Sequence, residues 1–166
     1  RGELLRLINQ ARENPLQMAT TLGMDPERIL ADQPDWRRDL LKNGLPRLIL
    51  HPGLQKAAAA HAADMLAEGY YSHDSLDGRT YADRLGAAGY DSANVGESLL
   101  KGCLGNDFPV TDADQIQKLV QVLFKEIFTR EVKPYSPEEK FIFDPALKDV
   151  GIGLAIGSRL ILRGYA

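Results

Sequence analysis

The stretch from Leu54 to Glu97 reads LQKAAAAHAADMLAEGYYSHDSLDGRTYADRLGAAGYDSANVGE and decides the fold. Its first part, Leu54–Glu68, contains seven alanines, which give it a high helix propensity. Pro52 precedes this part and Gly69 follows it, as is typical of the two ends of a helix. We therefore predict a long helix here. Its many small side chains also predict close packing against a sheet or another helix.

The second part of the stretch sets one histidine and one glutamate into turn-forming sequence. His73 comes shortly after the alanine-rich helix, and Glu97 ends a run, NVGE, that is typical of the start of a strand. Between them, Gly78–Ala88 predicts a shorter helix. A histidine and a glutamate separated by a helix-sized segment can face one cleft, which is how metal sites and acid/base pairs are built. We therefore take His73 and Glu97 as candidate site residues.

Helical patterns also flank this stretch. Apolar residues at helical spacing predict helices over residues 2–13, over Pro15–Leu22 and over Asp112–Thr129. Gly23–Asn43 holds two prolines amid charged residues, so we predict a loop with short helical turns there, and a candidate insertion.

Strand patterns are confined to the second half of the chain. Asn94–Leu100 predicts one strand, and Asp149–Ala155 with Arg159–Tyr165 predicts a β-hairpin around Gly157-Ser158. Helices followed by a strand, a helix and a hairpin favour an α+β fold with antiparallel pairing in a single domain, residues 1–166.

Composition limits the classes of function. The chain has 166 residues, 44% hydrophobic and 26% charged, as is normal for one globular domain. A net charge of −3 argues against a nucleic-acid partner. No apolar run reaches the roughly 18 residues that a transmembrane helix needs. Cys103 has no second cysteine to pair with inside the chain, so the fold depends on packing.

Four segments occur in an order and spacing that resemble the CAP superfamily, also called SCP-like. They are LLRLINQARENP (4–15), LQKAAAAHAADMLAEGYYSHDSLDGRTYADRLGAAGY (54–90), NVGESL (94–99) and FDPALKDVGIGLAIG (143–157). The superfamily groups cysteine-rich secretory, antigen 5 and pathogenesis-related proteins with bacterial extracellular domains, and this chain resembles the bacterial type. The resemblance implies an α+β fold, specifically a three-layer α-β-α sandwich with a central antiparallel sheet.

The resemblance also implies a cleft, which many relatives build from two histidines and two glutamates. By resemblance His73 takes the first histidine position, Glu97 the first glutamate position and Glu126 the second glutamate position. Tyr71 is a candidate cleft wall, and Ser98 follows Glu97 where relatives usually have asparagine. The alternative for Glu126 is a solvated helix charge, and for His73 a residue that fixes a turn.

The second cleft histidine has no counterpart here. The stretch 135–141 contains none, and the other histidines, His51 and His61, both precede His73. Three ligands and a water could still form an open metal site. Lys140, however, would place a positive charge near the vacant position. We therefore expect no cofactor and disfavour a divalent metal. A catalytic serine is disfavoured too, because no G-x-S-x-G elbow is present.

Three functions remain open. The first is a secreted or envelope-associated domain whose cleft binds a small molecule, a lipid or a peptide. The second is a peptidase-like hydrolase that uses His73 with Glu97 or Glu126 as acid and base. The third is an interaction domain whose segments Gly23–Asn43 and Gly102–Thr111 contact a partner protein. We favour the first, with an extracellular or cell-envelope location implied by the resemblance.

Overall fold

The computed structural model describes residues 1–92, 94–102, 113–134 and 141–157. Cys103, Lys140, most of Gly102–Thr111 and the hairpin arm Arg159–Tyr165 lie outside these ranges. The elements in chain order are α1 (Gly2–Glu13), α2 (Pro15–Thr21), α3 (Pro26–Ala31), α4 (Asp35–Asn43), β1 (Ile49–Leu50), α5 (Pro52–Glu68), α6 (Tyr81–Ala87), α7 (Ala113–Val132) and β2 (Asp149–Val150).

Local sequence signals account for the helix ends. Helix α5 begins at Pro52, where the preceding His51 accepts a hydrogen bond from Gly53 N at its Nδ1 atom, and it ends at Gly69 with φ 74°. Helix α6 begins with a reciprocal capping box between Thr80 and Asp83. The predicted helices over 2–13, Pro15–Leu22, Leu54–Glu68 and Asp112–Thr129 are confirmed to within a few residues.

The predicted three-layer α-β-α sandwich with a central antiparallel sheet is wrong. Within the described residues the sheet has two strands, β1 and β2, and they pair in parallel through Ile49 with Asp149 and Leu50 with Val150. Residues 94–100, predicted as a strand, belong to no strand of this sheet. The first arm of the predicted hairpin contributes only β2.

A helix takes the place that a neighbouring strand would occupy beside residues 151–153. The Gln55 side chain of α5 donates to Ile152 O (2.6 Å) and accepts from Ile152 N (3.2 Å). A Cβ added to Gly153 would lie 1.9 Å from Ala58 O, and one added to Gly151 would lie 2.2 Å from Leu54 C. The alternation that predicted a strand therefore reflects small residues that contact α5. The alanine-rich helix does pack closely, but its neighbour at Gly151 and Gly153 is a segment outside the helices and strands, not the predicted sheet or helix.

The hydrophobic core lies between the N-terminal helices and α7. Helix α7 contributes Phe124 and Phe128, and the ring of Phe128 packs edge-on against Phe143, with centroids 5.9 Å apart. The segment predicted as a loop, Gly23–Asn43, contains α3 and α4, and Leu41 of α4 is fully buried. Among the described residues, no helix combines the length and apolar character that crossing a bilayer requires.

A buried arginine ties α1 to the segment that leads into β2. Arg12 is 1% exposed and donates to the backbone carbonyl oxygens of Pro46 (2.7 Å), Asp144 (3.3 Å), Leu147 (3.3 Å) and Ile142. Burial lowers the pKa of this guanidinium from its usual value. The four carbonyl oxygens supply the polar contacts that a buried cation needs.

Candidate functional site

The turn between α5 and α6 presents His73. Ser75 N donates to Arg79 O (2.9 Å) and Gly78 N donates to Ser75 O (2.9 Å), so the chain turns tightly before the capping box of α6. Asp74 N donates to Ser72 Oγ (3.1 Å) on the other side of the histidine. These local bonds hold the backbone around His73 without using the histidine side chain itself.

Glu97 is placed by the close approach of its neighbour to an aromatic ring. A Cβ added to Gly96 would lie 2.1 Å from Phe141 Cε1, closer than any side chain tolerates. Only glycine lets residues 94–100 pass this ring. The glycine of the NVGE run therefore has a packing role, and the glutamate after it reaches His73.

His73 and Glu97 are in contact, and a third residue completes the arrangement. His73 Nδ1 lies 2.9 Å from Glu97 Oε1, and Arg84 Nη2 lies 2.8 Å from Glu97 Oε2. The side chain of His73 is 47% exposed, that of Glu97 is 20% exposed and that of Arg84 is 7% exposed. The three side chains thus run from solvent into the interior.

His73 and Glu97 line a groove of about 190 Å³. The groove is lined by Tyr71, Ser72, His73, Glu97, Ser98, Leu99, Leu100, Ile127, Arg130 and Glu131. Four residues predicted from the sequence lie together in this lining: His73, Glu97, Tyr71 and Ser98.

Glu126, the fifth predicted residue, is not part of the groove lining. Its Oε1 atom accepts a hydrogen bond from Arg130 Nη2 (2.5 Å) one helical turn later, and its side chain is 40% exposed. Glu126 therefore bonds a residue of the groove lining, Arg130, but is not part of the lining itself.

Glu131 is the acidic residue of α7 that does line the groove, and sequence reasoning missed it. It is 2% exposed, and its Oε1 atom accepts from Phe141 N (2.6 Å) and Ile142 N (2.8 Å). Its Oε2 atom lies 3.5 Å from Arg37 Nη2. Burial raises the pKa of this carboxyl, against the opposing effect of the two backbone bonds and Arg37. Its position three residues after Phe128, on the apolar face of α7, was the available signal.

Arg84 was also missed, and it lines a second cavity of about 300 Å³ between α5 and α6. Beside it, His61 Nε2 contacts Ser72 O (2.9 Å) and the Tyr70 hydroxyl donates to Asp64. His61 is 3% exposed and is therefore packed in the interior rather than placed in the groove. Partial burial, together with Asp64, raises the pKa of the Tyr70 phenol.

The contacts of the groove do not suit a resident metal ion. Among the described residues, no group of three or more His, Cys, Asp or Glu side chains could hold one. Both oxygens of Glu97 already accept hydrogen bonds, one of them from a guanidinium that would repel a cation. The expectation of a metal-free cleft stays a prediction.

Comparison with known proteins adds one positive finding. The model of the CAP family, described as the cysteine-rich secretory protein family, matches residues 5–160. No curated protein and no solved structure matches the chain. The matched range includes every residue that lines the groove. The chain therefore belongs to the CAP family.

Proposed function

We propose that this CAP domain binds a small molecule or a short peptide segment in the groove around His73 and Glu97. The observation that carries the proposal is the run of contacts from Arg84 through Glu97 to His73, which ends at an open groove. Pockets that enclose a drug-sized ligand measure roughly 300–1,000 Å³. At about 190 Å³ the groove suits a small compound or one part of a peptide, and most of a lipid would extend beyond it.

The lining contains both polar and apolar side chains. His73, Glu97 and Ser98 contribute polar groups, while Leu99 and Ile127 contribute aliphatic surface. A ligand with one polar group and a short aliphatic part matches this combination, because each part then meets a surface of its own kind.

Binding is favoured over hydrolysis by the contacts of the same residues. Both oxygens of Glu97 bond protein side chains, those of Arg84 and His73, which suits a carboxylate that orients its neighbours. A serine nucleophile needs a hydrogen bond to a base, and no described serine bonds to the His73 ring.

The location of the domain is part of the proposal. The family takes its description from secretory proteins, and we propose an extracellular or cell-envelope location for this chain, as in the bacterial members that it resembles. Detection of the protein in the envelope or medium fraction of its source cells would test this.

Chemical-shift perturbation with three probes tests the proposed binding. The probes are butyramide, butyrate and dihexanoyl phosphatidylcholine below its critical micelle concentration. We expect at least one of the first two to shift the amides of residues 71–73 and 97–100 at millimolar concentration. His73→Ala and Glu97→Gln should weaken that binding at least tenfold.

Glu126→Gln is the matched control, because it makes the same chemical change outside the groove lining. It should bind like the wild type. The absence of any groove shift with all three probes, or undiminished binding by Glu97→Gln, would contradict the proposal. Weakened binding in Glu126→Gln would instead support the sequence-based assignment of Glu126 to the cleft. Binding of the phospholipid alone would make the domain a lipid binder.

A further inference from the structure

We infer that Arg84 is a positioning residue, which fixes the orientation of Glu97 and thereby presents His73 Nε2 as a hydrogen-bond acceptor for the ligand. The part about the ligand rests on the proposed function. The part about the histidine does not, because it concerns the protein alone.

Arg84 is held at several points by its own region of the chain. Its Nη1 atom donates to Ser75 Oγ (3.2 Å) and to Arg79 O (3.1 Å), both in the turn that follows His73. The capping box of α6 fixes the first turn of the helix that carries Arg84. One nitrogen of the guanidinium is thus bonded to the turn that follows the histidine, and the other nitrogen bonds Glu97.

Arg84 also bonds the carboxylate of Glu97. A buried guanidinium needs hydrogen-bond acceptors as partners, and a carboxylate is a strong acceptor. Glu97 Oε2 is one such acceptor, at 2.8 Å. The bond fixes one oxygen of the carboxylate, so the other oxygen, Oε1, is directed to His73 Nδ1.

This geometry determines which ring nitrogen of His73 carries the hydrogen. An ionised carboxylate only accepts hydrogen bonds, so the hydrogen between the two residues belongs to His73 Nδ1. In the neutral ring, Nε2 then carries the lone pair. No described residue hydrogen-bonds to Nε2, and the ring lies in the groove lining. A neutral His73 therefore accepts a hydrogen bond, and the matching ligand group is a donor such as an amide N–H or a hydroxyl.

The experiment compares Arg84→Met and Arg84→Lys with the wild type. The first readout is the tautomer of His73, from the ¹⁵N shifts of its two ring nitrogens at about pH 8, above the ordinary imidazole pKa of about 6.5. We expect the Nδ1–H form in the wild type and a mixture of both tautomers in Arg84→Met. Arg84→Lys keeps the charge but cannot bond Ser75, Arg79 and Glu97 together, so its tautomer population should lie between the two.

The second readout is the ratio of the affinities for butyramide, which donates hydrogen bonds, and butyrate, which only accepts them. The wild type should prefer butyramide, and Arg84→Met should lose at least fivefold of that preference. Arg47→Met is the matched control, because it removes an exposed arginine that pairs with Glu13 and neither residue lines the groove. It should leave both readouts unchanged.

The outcomes separate the two proposals. A wild-type tautomer in a folded Arg84→Met variant would overturn the positioning role, and so would a wild-type preference for butyramide. If Arg84→Met does not fold, the tautomer of Arg84→Lys decides: a wild-type population overturns the inference and a mixture supports it. If the tautomer shifts as expected but no probe binds the wild type, the role of Arg84 holds and the proposed function fails.

Discussion

Replacement of Glu131 should show how much its buried contacts contribute to the stability of the fold. Glu131→Ala removes the acceptor of two backbone N–H groups, those of Phe141 and Ile142, and the charged partner of Arg37. Arg37 keeps a bond to the backbone oxygen of residue 131 (3.0 Å). Glu131→Gln keeps a carbonyl oxygen for the two N–H groups and removes only the charge.

The magnitude follows from the groups left unpaired. Each buried donor without an acceptor costs about 1–3 kcal/mol. Breaking a buried ion pair costs about 3–5 kcal/mol, and these costs overlap because they share one carboxylate. We expect Glu131→Ala to lower the free energy of unfolding by about 4 kcal/mol. Glu131→Gln should cost less than about 1 kcal/mol at pH 7, because it keeps an acceptor for the two N–H groups and because the desolvation of the charge, which raises the pKa of Glu131, outweighs its attraction to Arg37 at 3.5 Å.

Urea unfolding at pH 7, followed by circular dichroism, measures both values. Glu126→Ala is the control on the same helix. It breaks an exposed pair with Arg130 and should cost less than about 0.5 kcal/mol. A loss below about 1 kcal/mol for Glu131→Ala, or equal losses for the alanine and glutamine variants, would refute the role given to the two backbone bonds.

Three further outcomes are expected. Gly96→Ala should destabilise the fold by about 1–3 kcal/mol in the same urea assay, because its Cβ would meet the Phe141 ring; a neutral effect would contradict that close contact. Arg12→Met should lower the free energy of unfolding by on the order of 3 kcal/mol, because four carbonyl oxygens lose a charged donor. Thermal melting should show this loss, whereas Arg6→Met, an exposed control, should melt like the wild type. The raised pKa of Glu131 means that the folded protein holds this proton more tightly than the unfolded chain. Its contribution to stability should therefore be largest below the ordinary value of 4.5 and decline as pH rises from there to the folded pKa. The stability difference between wild type and Glu131→Gln, measured at intervals from pH 4 to 7, should follow that decline; a difference independent of pH would contradict it.

Some features of the site could be predicted from local sequence. The helix ends follow from residues within a few positions of each other, such as Pro52 and Gly69 around α5. His73 and Glu97 could be named because the turn after α5 and the NVGE run resemble segments of the family. The resemblance was less useful for the second acid, because it assigned the position to Glu126, whereas the acidic residue of α7 that lines the groove is Glu131.

The features that sequence reasoning missed depend on contacts between distant segments. Glu131 is distinguished from Glu126 by the backbone of residues 141–142, which supplies its hydrogen bonds. Arg84 acquires its role only when the turn after α5 meets the segment that carries Glu97.

The sequence by itself determined most of the helices, the ends of α5 and the resemblance to the family, because these depend on neighbouring residues and on the order of short motifs. Only the tertiary structure decided that residues 151–153 pack on α5, without a central antiparallel sheet among the described residues, and which carboxylates line the groove. Both depend on how closely other segments approach the chain: Gly151 and Gly153 allow the contact with the backbone of α5, and Gly96 allows the contact with the Phe141 ring.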